Sequence, residues 1–180
     1  MDIPKLIAAQ RAYFETGATR DIAVRRRALQ ALQASVRRHE EVLCSALRAD
    51  LGKSVVESYM TEIGIVAGEI RFALRNLKRW MRPRRVPTPL FAWPARSRVR
   101  YEPLGVVLVV APWNYPLQLT LLPLVGALAA GHGSRSVGDR RRVLSEGAGR
   151  SGAARTAGCG RVADAAVRPY LLHGRRDFRP

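Results

Sequence analysis

An asparagine in a proline-bounded loop, Pro112-Trp113-Asn114-Tyr115-Pro116, is the residue best suited to chemistry. The side-chain amide of Asn114 carries N–H donors, and donors held rigidly beside a substrate carbonyl stabilise an oxyanion that develops there. The alternative is structural: Asn114 forms an Asx turn and Trp113 packs in the core. Spacing alone favours this structural alternative.

The residues on either side of the loop predict a strand followed by a helix. Residues 106–110 are an unbroken apolar and mostly β-branched run, typical of a central strand of a parallel sheet that is covered on both faces. Residues 117–130 predict a buried helix that ends at Gly131. Ligands of open α/β sheets bind beyond the carboxyl ends of strands, so Asn114 lies at a suitable position.

Apolar periodicity upstream predicts three helices and one strand. The first helix ends at Gly17, the second runs from an N-cap at Asp21 to about residue 50, and the third covers about residues 57–81. Four prolines exclude regular structure from residues 82–95, and alternation over residues 97–102 predicts a half-solvated strand. The expected fold class is α/β, mostly helical, with a β-hairpin and one buried strand.

The composition is that of a basic globular protein of about one domain. The 180 residues are 47% hydrophobic, and 31 Lys and Arg against 14 Asp and Glu give a net charge of +17. Almost all of the basic residues are arginines, which fits a nucleic-acid or anionic-membrane partner but also a GC-rich coding sequence. The arginine clusters at residues 25–27, 82–85 and 140–142 lack interleaved aromatic residues, so a solvated surface and no specific nucleic-acid partner are expected.

Other classes of site are not supported. Cys44 and Cys159 cannot form a disulfide framework, and the cysteines and histidines lack metal-ligand spacing, so no metal is expected. The first residues show no basic segment followed by an apolar run, so no leader and a cytoplasmic location are expected. The uncharged residues 103–131 are long enough to span a bilayer, but their prolines and β-branched residues oppose a membrane span.

Five motifs together resemble a known family. They are Ala49-Asp50-Leu51-Gly52-Lys53-Ser54, Tyr59-Met60-Thr61-Glu62-Ile63-Gly64, Arg84-Arg85-Val86-Pro87-Thr88-Pro89, Glu102-Pro103-Leu104-Gly105-Val106-Val107 and Ala111-Pro112-Trp113-Asn114-Tyr115-Pro116. The chain from about Leu6 to Gly131 resembles the N-terminal part of an aldehyde dehydrogenase, most closely the class 3 and fatty aldehyde branch. The resemblance implies that residues 1–131 are an incomplete Rossmann-like cofactor-binding domain.

The resemblance also implies a site. The asparagine that matches Asn114 donates to the oxyanion of a thiohemiacetal, and the residues that match Ala111, Pro112 and Trp113 line the channel for NAD or NADP. The family oxidises an aldehyde to a carboxylic acid by thiolate attack, hydride transfer to the cofactor, and thioester hydrolysis assisted by a glutamate. Its members form dimers.

The resemblance stops after Gly131. The family's Lys-Pro-Ser-Glu motif, its general-base segment and its catalytic cysteine have no counterpart, so we expect a truncated and catalytically inactive chain. The segment 131–136 differs from a GxGxxG turn because it follows a helix and carries Ser136 in place of the third glycine. Residues 132–180 are expected to be an Arg/Gly/Ala-rich tail, disordered or out of frame. An alternative function is a basic module whose tail binds nucleic acid or acidic lipid.

The coding DNA tests whether the tail is read out of frame. One codon choice for residues 167–177, read one base forward, gives Phe-Asp-His-Ile-Phe-Phe-Thr-Gly-Gly-Glu, which resembles a strand and cofactor turn of the family. We expect sequencing beyond codon 131 to show that a single-base correction opens a frame with the Lys-Pro-Ser-Glu motif and a catalytic cysteine. Codons that cannot be read in this way would disprove the hypothesis.

Overall fold

Helices form most of the computed structural model, which describes residues 3–136. The six α-helices in that part are α1 (Ile3–Glu15), α2 (Ile22–Arg38), α3 (Glu40–Leu51), α4 (Val55–Ser58), α5 (Gly64–Trp80) and α6 (Gln118–Ala130). Helix α2 begins where expected, because the Asp21 carboxylate accepts a hydrogen bond of 2.9 Å from the Ala23 N–H. The end of α6 at Gly131, with φ of 80°, is also confirmed.

The second predicted helix is two helices, so the prediction of one continuous helix to residue 50 was wrong. His39 leaves the helical region with φ of −104°. The Ser35 carbonyl accepts a hydrogen bond of 3.1 Å from the His39 N–H and lies 2.9 Å from the His39 ring Nδ1. A new helix, α3, begins after this residue. Its residues Leu43 and Leu47 are both buried.

One wide helical turn, the π turn Tyr59–Ile63, joins α4 to α5. The Gly64 N–H donates to the Tyr59 carbonyl, five residues earlier. A Cβ at Gly64 would lie only 2.9 Å from that carbonyl oxygen, so glycine permits the close approach. The π turn directs Glu62 and Ile63 inward, and both are buried.

Helices α2, α5 and α6 pack against one another around the main apolar core. Burial of these aliphatic side chains is the main favourable contribution to the stability of this layer. The largest fully buried apolar side chains in the described part of the chain are Leu29, Leu32, Val36, Leu43, Leu47, Ile63, Val66, Ile70, Leu77, Leu117 and Leu121. Among residues 3–136 no helix combines the length and apolar character needed to cross a membrane.

A β-hairpin follows the helices. Strand β1 (Arg84–Val86) pairs antiparallel with β2 (Ser97–Val99). The expectation that residues 82–95 hold no regular structure was wrong at β1, because Pro83 and Pro87 flank this short strand and do not interrupt it. The strand predicted over residues 97–102 is present but shorter, because β2 ends at Val99, and its residues are half-buried or exposed.

The second pair of strands is parallel, and its two strands lie on either side of α6 in the chain. Strand β3 (Val106–Val109) pairs with β4 (Gly133–Ser136), and Val106 lies opposite Gly133. Val109 is buried, but Leu108 is 65% exposed and Val110 is 74% exposed. The prediction of a strand covered on both faces was therefore wrong, because no described residue covers the side chain of Leu108 on one face of β3. Within residues 3–136, β4 is the one strand that pairs with β3. Residues 137–180, and with them most of the predicted tail, lie outside the described residues.

A buried arginine supports the end of α6. Arg25 Nε donates to the Thr19 carbonyl at 2.8 Å, and Arg25 Nη1 donates to the Ala129 carbonyl at 3.1 Å. Arg25 is therefore not part of a solvated cluster, contrary to expectation, and its burial lowers the pKa of the guanidinium. A Cβ at Gly131 would lie 2.5 Å from Arg25 Cζ, so the chain passes the guanidinium closely.

Two glycine variants test this contact. Gly131 and Gly17 both have positive φ, but an added Cβ meets nothing within 4 Å at Gly17. We expect Gly17→Ala to lower the free energy of unfolding by about 1–2 kcal/mol, the cost of a left-handed L residue. Gly131→Ala should lower it by about 3–5 kcal/mol, because the Arg25 hydrogen bonds are also lost. Urea unfolding measures both values, and equal values would show that Arg25 moves freely.

Candidate active site

The loop with the candidate residues lies between β3 and α6, at the carboxyl end of the parallel strands. Asn114 is exposed, and Trp113 is 58% exposed and therefore not a core residue. The Asx turn is also unavailable, because the residue two positions beyond Asn114 is Pro116, which has no N–H to donate. The structure therefore shows neither structural alternative for this loop, and Asn114 is an exposed residue.

The loop is fixed at its carboxyl end by a buried carboxylate. Glu62 is 0% exposed, and its Oε2 accepts hydrogen bonds from the Leu117 N–H at 2.8 Å and the Gln118 N–H at 3.3 Å. The first N–H groups of a helix have no partner within the helix and carry a partial positive charge. Glu62 supplies both the acceptor and the complementary charge, and it ties the start of α6 to the π turn.

A lysine completes this anchor. Lys53 Nζ donates to Glu62 Oε1 at 2.5 Å, and both side chains are buried. The same Nζ lies 4.1 Å from the centroid of the Tyr115 ring. A cation over an aromatic face is attracted by the ring electrons. Lys53 therefore connects Glu62 to the residue that follows Asn114, and we call Lys53, Glu62 and Tyr115 the loop anchor.

Two further hydrogen bonds connect the residues after Asn114 to the first turn of α6. The Leu119 N–H donates to the Tyr115 carbonyl at 3.0 Å, and Thr120 Oγ1 donates to the Pro116 carbonyl at 2.6 Å. Asn114 thus lies between β3 on one side and a hydrogen-bonded helix start on the other.

Sequence reasoning missed the anchoring role of Lys53 and Glu62. Both residues lie in motifs that carry the family resemblance, but a lysine in a connection and a glutamate in a helix give no periodic signal. One feature of the sequence could have indicated that Glu62 is buried: it lies next to Ile63, on the side of the predicted helix that carries the apolar residues.

The remaining candidate groups do not form a site. Burial, and then the nearby Glu40, raise the pKa of the Cys44 thiol, which disfavours the thiolate that a nucleophile needs. His132 Nδ1 accepts a hydrogen bond of 3.1 Å from the Leu104 N–H, next to the β3–β4 pair. Among the described residues no group of three or more His, Cys, Asp or Glu could hold a metal.

The family assignment follows from a comparison of the chain with known families. Residues 1–133 match the model of the aldehyde dehydrogenase family. The chain belongs to the aldehyde dehydrogenase family. The match includes the loop anchor and the whole loop with Asn114, so the predicted family is confirmed.

Individual relatives include a member of aldehyde dehydrogenase family 3 and a bacterial aldehyde dehydrogenase. Human aldehyde dehydrogenase family 3 member B1 is 48% identical over 122 residues, which are 68% of this chain and 26% of that protein. The 4,4'-diaponeurosporen-aldehyde dehydrogenase of Staphylococcus aureus is 44% identical over 122 residues, 68% of this chain and 27% of that protein. The chain therefore spans about a quarter of the length of these curated relatives.

Solved structures agree on the fold. The substrate-bound Staphylococcus aureus AldH has a TM-score of 0.73 and 40% identity, over 76% of this chain and 30% of that one. Glyceraldehyde-3-phosphate dehydrogenase GapN of Methanocaldococcus jannaschii, complexed with NADP, has a TM-score of 0.66 and 19% identity, over 93% of this chain and 33% of that one. The second likeness shows the fold alone. The predicted fold class, a partial Rossmann-like region that is mostly helical, is confirmed.

A pair of charge variants tests the loop anchor of this aldehyde dehydrogenase chain. Glu62→Gln leaves Lys53 buried without a counter-charge, so we expect a loss of about 3–5 kcal/mol in the free energy of unfolding. The control Glu41→Gln, at an exposed position on α3, should change it by less than about 0.5 kcal/mol. Urea unfolding of both variants gives the comparison.

A double-mutant cycle with Lys53→Met separates the ion pair from the hydrogen bonds to α6. We expect the double variant to lose less than the sum of the single variants, because no unpaired charge remains. Strict additivity would show that Lys53 and Glu62 act independently.

Proposed function

We propose that this chain provides the N-terminal part of the cofactor-binding domain of an aldehyde dehydrogenase that oxidises an aldehyde to a carboxylic acid with NAD or NADP. The observation that carries the proposal is the exposed Asn114 amide on a loop that the buried Lys53–Glu62 pair holds at the carboxyl end of β3. Family membership supplies the reaction class.

Asn114 acts as the oxyanion donor in this proposal. When a thiolate adds to an aldehyde carbonyl, the carbonyl oxygen gains negative charge, and the Nδ2–H of Asn114 donates a hydrogen bond to it. A donor that is aimed at developing charge contributes to the transition state more than to the bound aldehyde. Removal of one such donor lowers kcat by about 100- to 1,000-fold in comparable sites.

Ala111, Pro112 and Trp113 would line the channel for the nicotinamide end of the cofactor. Pro112 and Trp113 are exposed at the carboxyl end of β3, which fits an apolar wall for a flat ring. Glu62 occupies the N–H groups at the start of α6, so this helix does not offer the phosphate site that a helix N-terminus often provides. When bound, NAD or NADP accepts the hydride from the substrate carbon.

The 180-residue chain by itself is proposed to be inactive. Burial raises the pKa of the Cys44 thiol, and Cys159, outside the described residues, has no nearby histidine in the sequence to act as a base. The segment 132–180 is proposed to be read out of frame. The alternative of a basic module that binds nucleic acid or acidic lipid rests on that same Arg-rich segment.

A frame-corrected gene product tests the function and the site together. We expect it to reduce NAD or NADP when an aldehyde is added, with absorbance at the wavelength of the reduced nicotinamide as the readout. In that protein Asn114→Ala should lower kcat by about 100- to 1,000-fold with a small change in KM, because the lost bond forms in the transition state.

Two outcomes would contradict separate parts of this proposal. If the corrected protein oxidises no aldehyde, the proposed activity is wrong. If it is active and Asn114→Ala behaves like the control Gln30→Ala, which changes an exposed amide on α2, the activity stands and the role of Asn114 is wrong. Circular dichroism of each variant confirms that it is folded.

A further inference from the structure

The short connection between α3 and α4 places Lys53 between two capped helix ends. Gly52, with φ of 69°, ends α3, and its N–H donates to the Arg48 carbonyl at 2.9 Å. Ser54 begins α4, and its Oγ accepts a hydrogen bond of 3.1 Å from the Glu57 N–H. Caps of both kinds satisfy backbone groups at helix ends and set the backbone angles there. The backbone of Lys53 therefore has a defined position from which its side chain reaches inward.

The Lys53 ammonium makes two contacts, and both lead to the loop that carries Asn114. Nζ donates to Glu62 Oε1 at 2.5 Å, and Glu62 Oε2 accepts from the Leu117 N–H at the start of α6. Nζ also lies 4.1 Å from the centroid of the Tyr115 ring, on the residue next to Asn114. A lysine that served only to neutralise a buried carboxylate would need the first contact alone. The second contact links the same charge to the neighbour of the candidate oxyanion donor.

Burial strengthens both of these contacts. Lys53 is 7% exposed and Glu62 is 0% exposed. The attraction between opposite charges and the attraction of a cation to an aromatic face both grow when water is excluded. Further polypeptide, in a chain as long as the relatives, would cover these side chains more and not less. The two contacts of Lys53 therefore do not depend on surfaces that a longer chain would bury.

From these contacts we propose that Lys53 is a positioning residue for Asn114. Through Glu62 it holds the start of α6, and through the Tyr115 ring it holds the residue beside the Asn114 amide. Lys53 touches no substrate in this role. The kinetic consequence rests on the proposed function of Asn114, because a displacement of about 1 Å in a catalytic group lowers a rate by about 100-fold.

Tryptophan fluorescence of the 180-residue chain tests this role without any activity. In Trp80→Phe/Trp93→Phe the one remaining tryptophan is Trp113, which lies in the loop. In that background Lys53→Met/Glu62→Gln removes both charges together, so no unpaired charge is buried, and the glutamine carbonyl still accepts at the start of α6. We expect the amplitude of the fast, local decay of Trp113 anisotropy to rise by about twofold or more, because the loop loses the cation that holds it.

The matched control is Lys78→Met/Glu41→Gln in the same background, which removes one exposed charge of each sign. It should leave the anisotropy decay of Trp113 unchanged, since both of these charges are solvated, on α5 and α3. Circular dichroism and urea unfolding confirm that each variant is folded at the temperature of measurement. An anisotropy decay that changes equally in the two variants, or in neither of them, would overturn the proposal.

Kinetics of the frame-corrected enzyme test the consequence for Asn114. We expect Lys53→Met/Glu62→Gln to lower kcat by about tenfold or more and to change KM by less than about threefold, because a misplaced oxyanion donor acts on the transition state. In an Asn114→Ala background the same two changes should lower kcat by less than about twofold, because the donor that they position is gone. A merely structural role of the ion pair would give the same loss in both backgrounds.

The outcomes separate this inference from the function on which it rests. If the corrected enzyme oxidises no aldehyde, the proposed activity is wrong, and the Trp113 measurement still decides whether Lys53 holds the loop. If the enzyme is active and the loss in kcat is equal with and without Asn114, the activity stands and the positioning role of Lys53 is wrong.

Discussion

The buried carboxylate of Glu62 is the interaction on which the arrangement of this chain depends. A carboxylate withdrawn from water is stable only when its oxygens are paired, and here Lys53 and two backbone N–H groups at the start of α6 pair them. This requirement explains the π turn that directs Glu62 inward and the glycine at 64 that permits the turn. It also fixes the start of α6, and so the loop before it.

Helix α6 is held by charge at both ends although it contains no charged residue. Glu62 meets the N–H groups at its start, and Arg25 donates to the Ala129 carbonyl near its end. These signs complement the helix dipole, which is positive at the start and negative at the end. The apolar side chains of α6 thus pack in the core against α2 and α5. The backbone groups at its two ends form hydrogen bonds with Glu62 of the π turn and Arg25 of α2. The loop with Asn114 and the strand β4 take their positions from this fixed helix.

Two surfaces are left open by this arrangement, and they differ in kind. The Leu108 and Val110 side of β3 is an apolar sheet face beside the Asn114 loop, in a chain that spans about a quarter of its relatives' length. The β1–β2 hairpin has an apolar tip with a satisfied backbone and a basic base. The first surface is apolar, whereas the second combines exposed apolar residues with arginines.

The sequence by itself determined the family, the fold class, the start of α2, the end of α6 at Gly131 and the place of the Asn114 loop, because apolar periodicity, caps and motifs are local signals. Only the tertiary structure decided that the chain breaks at His39, that residues 84–86 form a strand, and that Arg25 is buried and not solvated. It also decided that Lys53 and Glu62 are the support of the candidate site. The burial of Arg25 and the support of the candidate site depend on contacts between residues that are far apart in the chain, Arg25 with Ala129 and Glu62 with Leu117. A local pattern contains no record of which distant group will satisfy a buried charge.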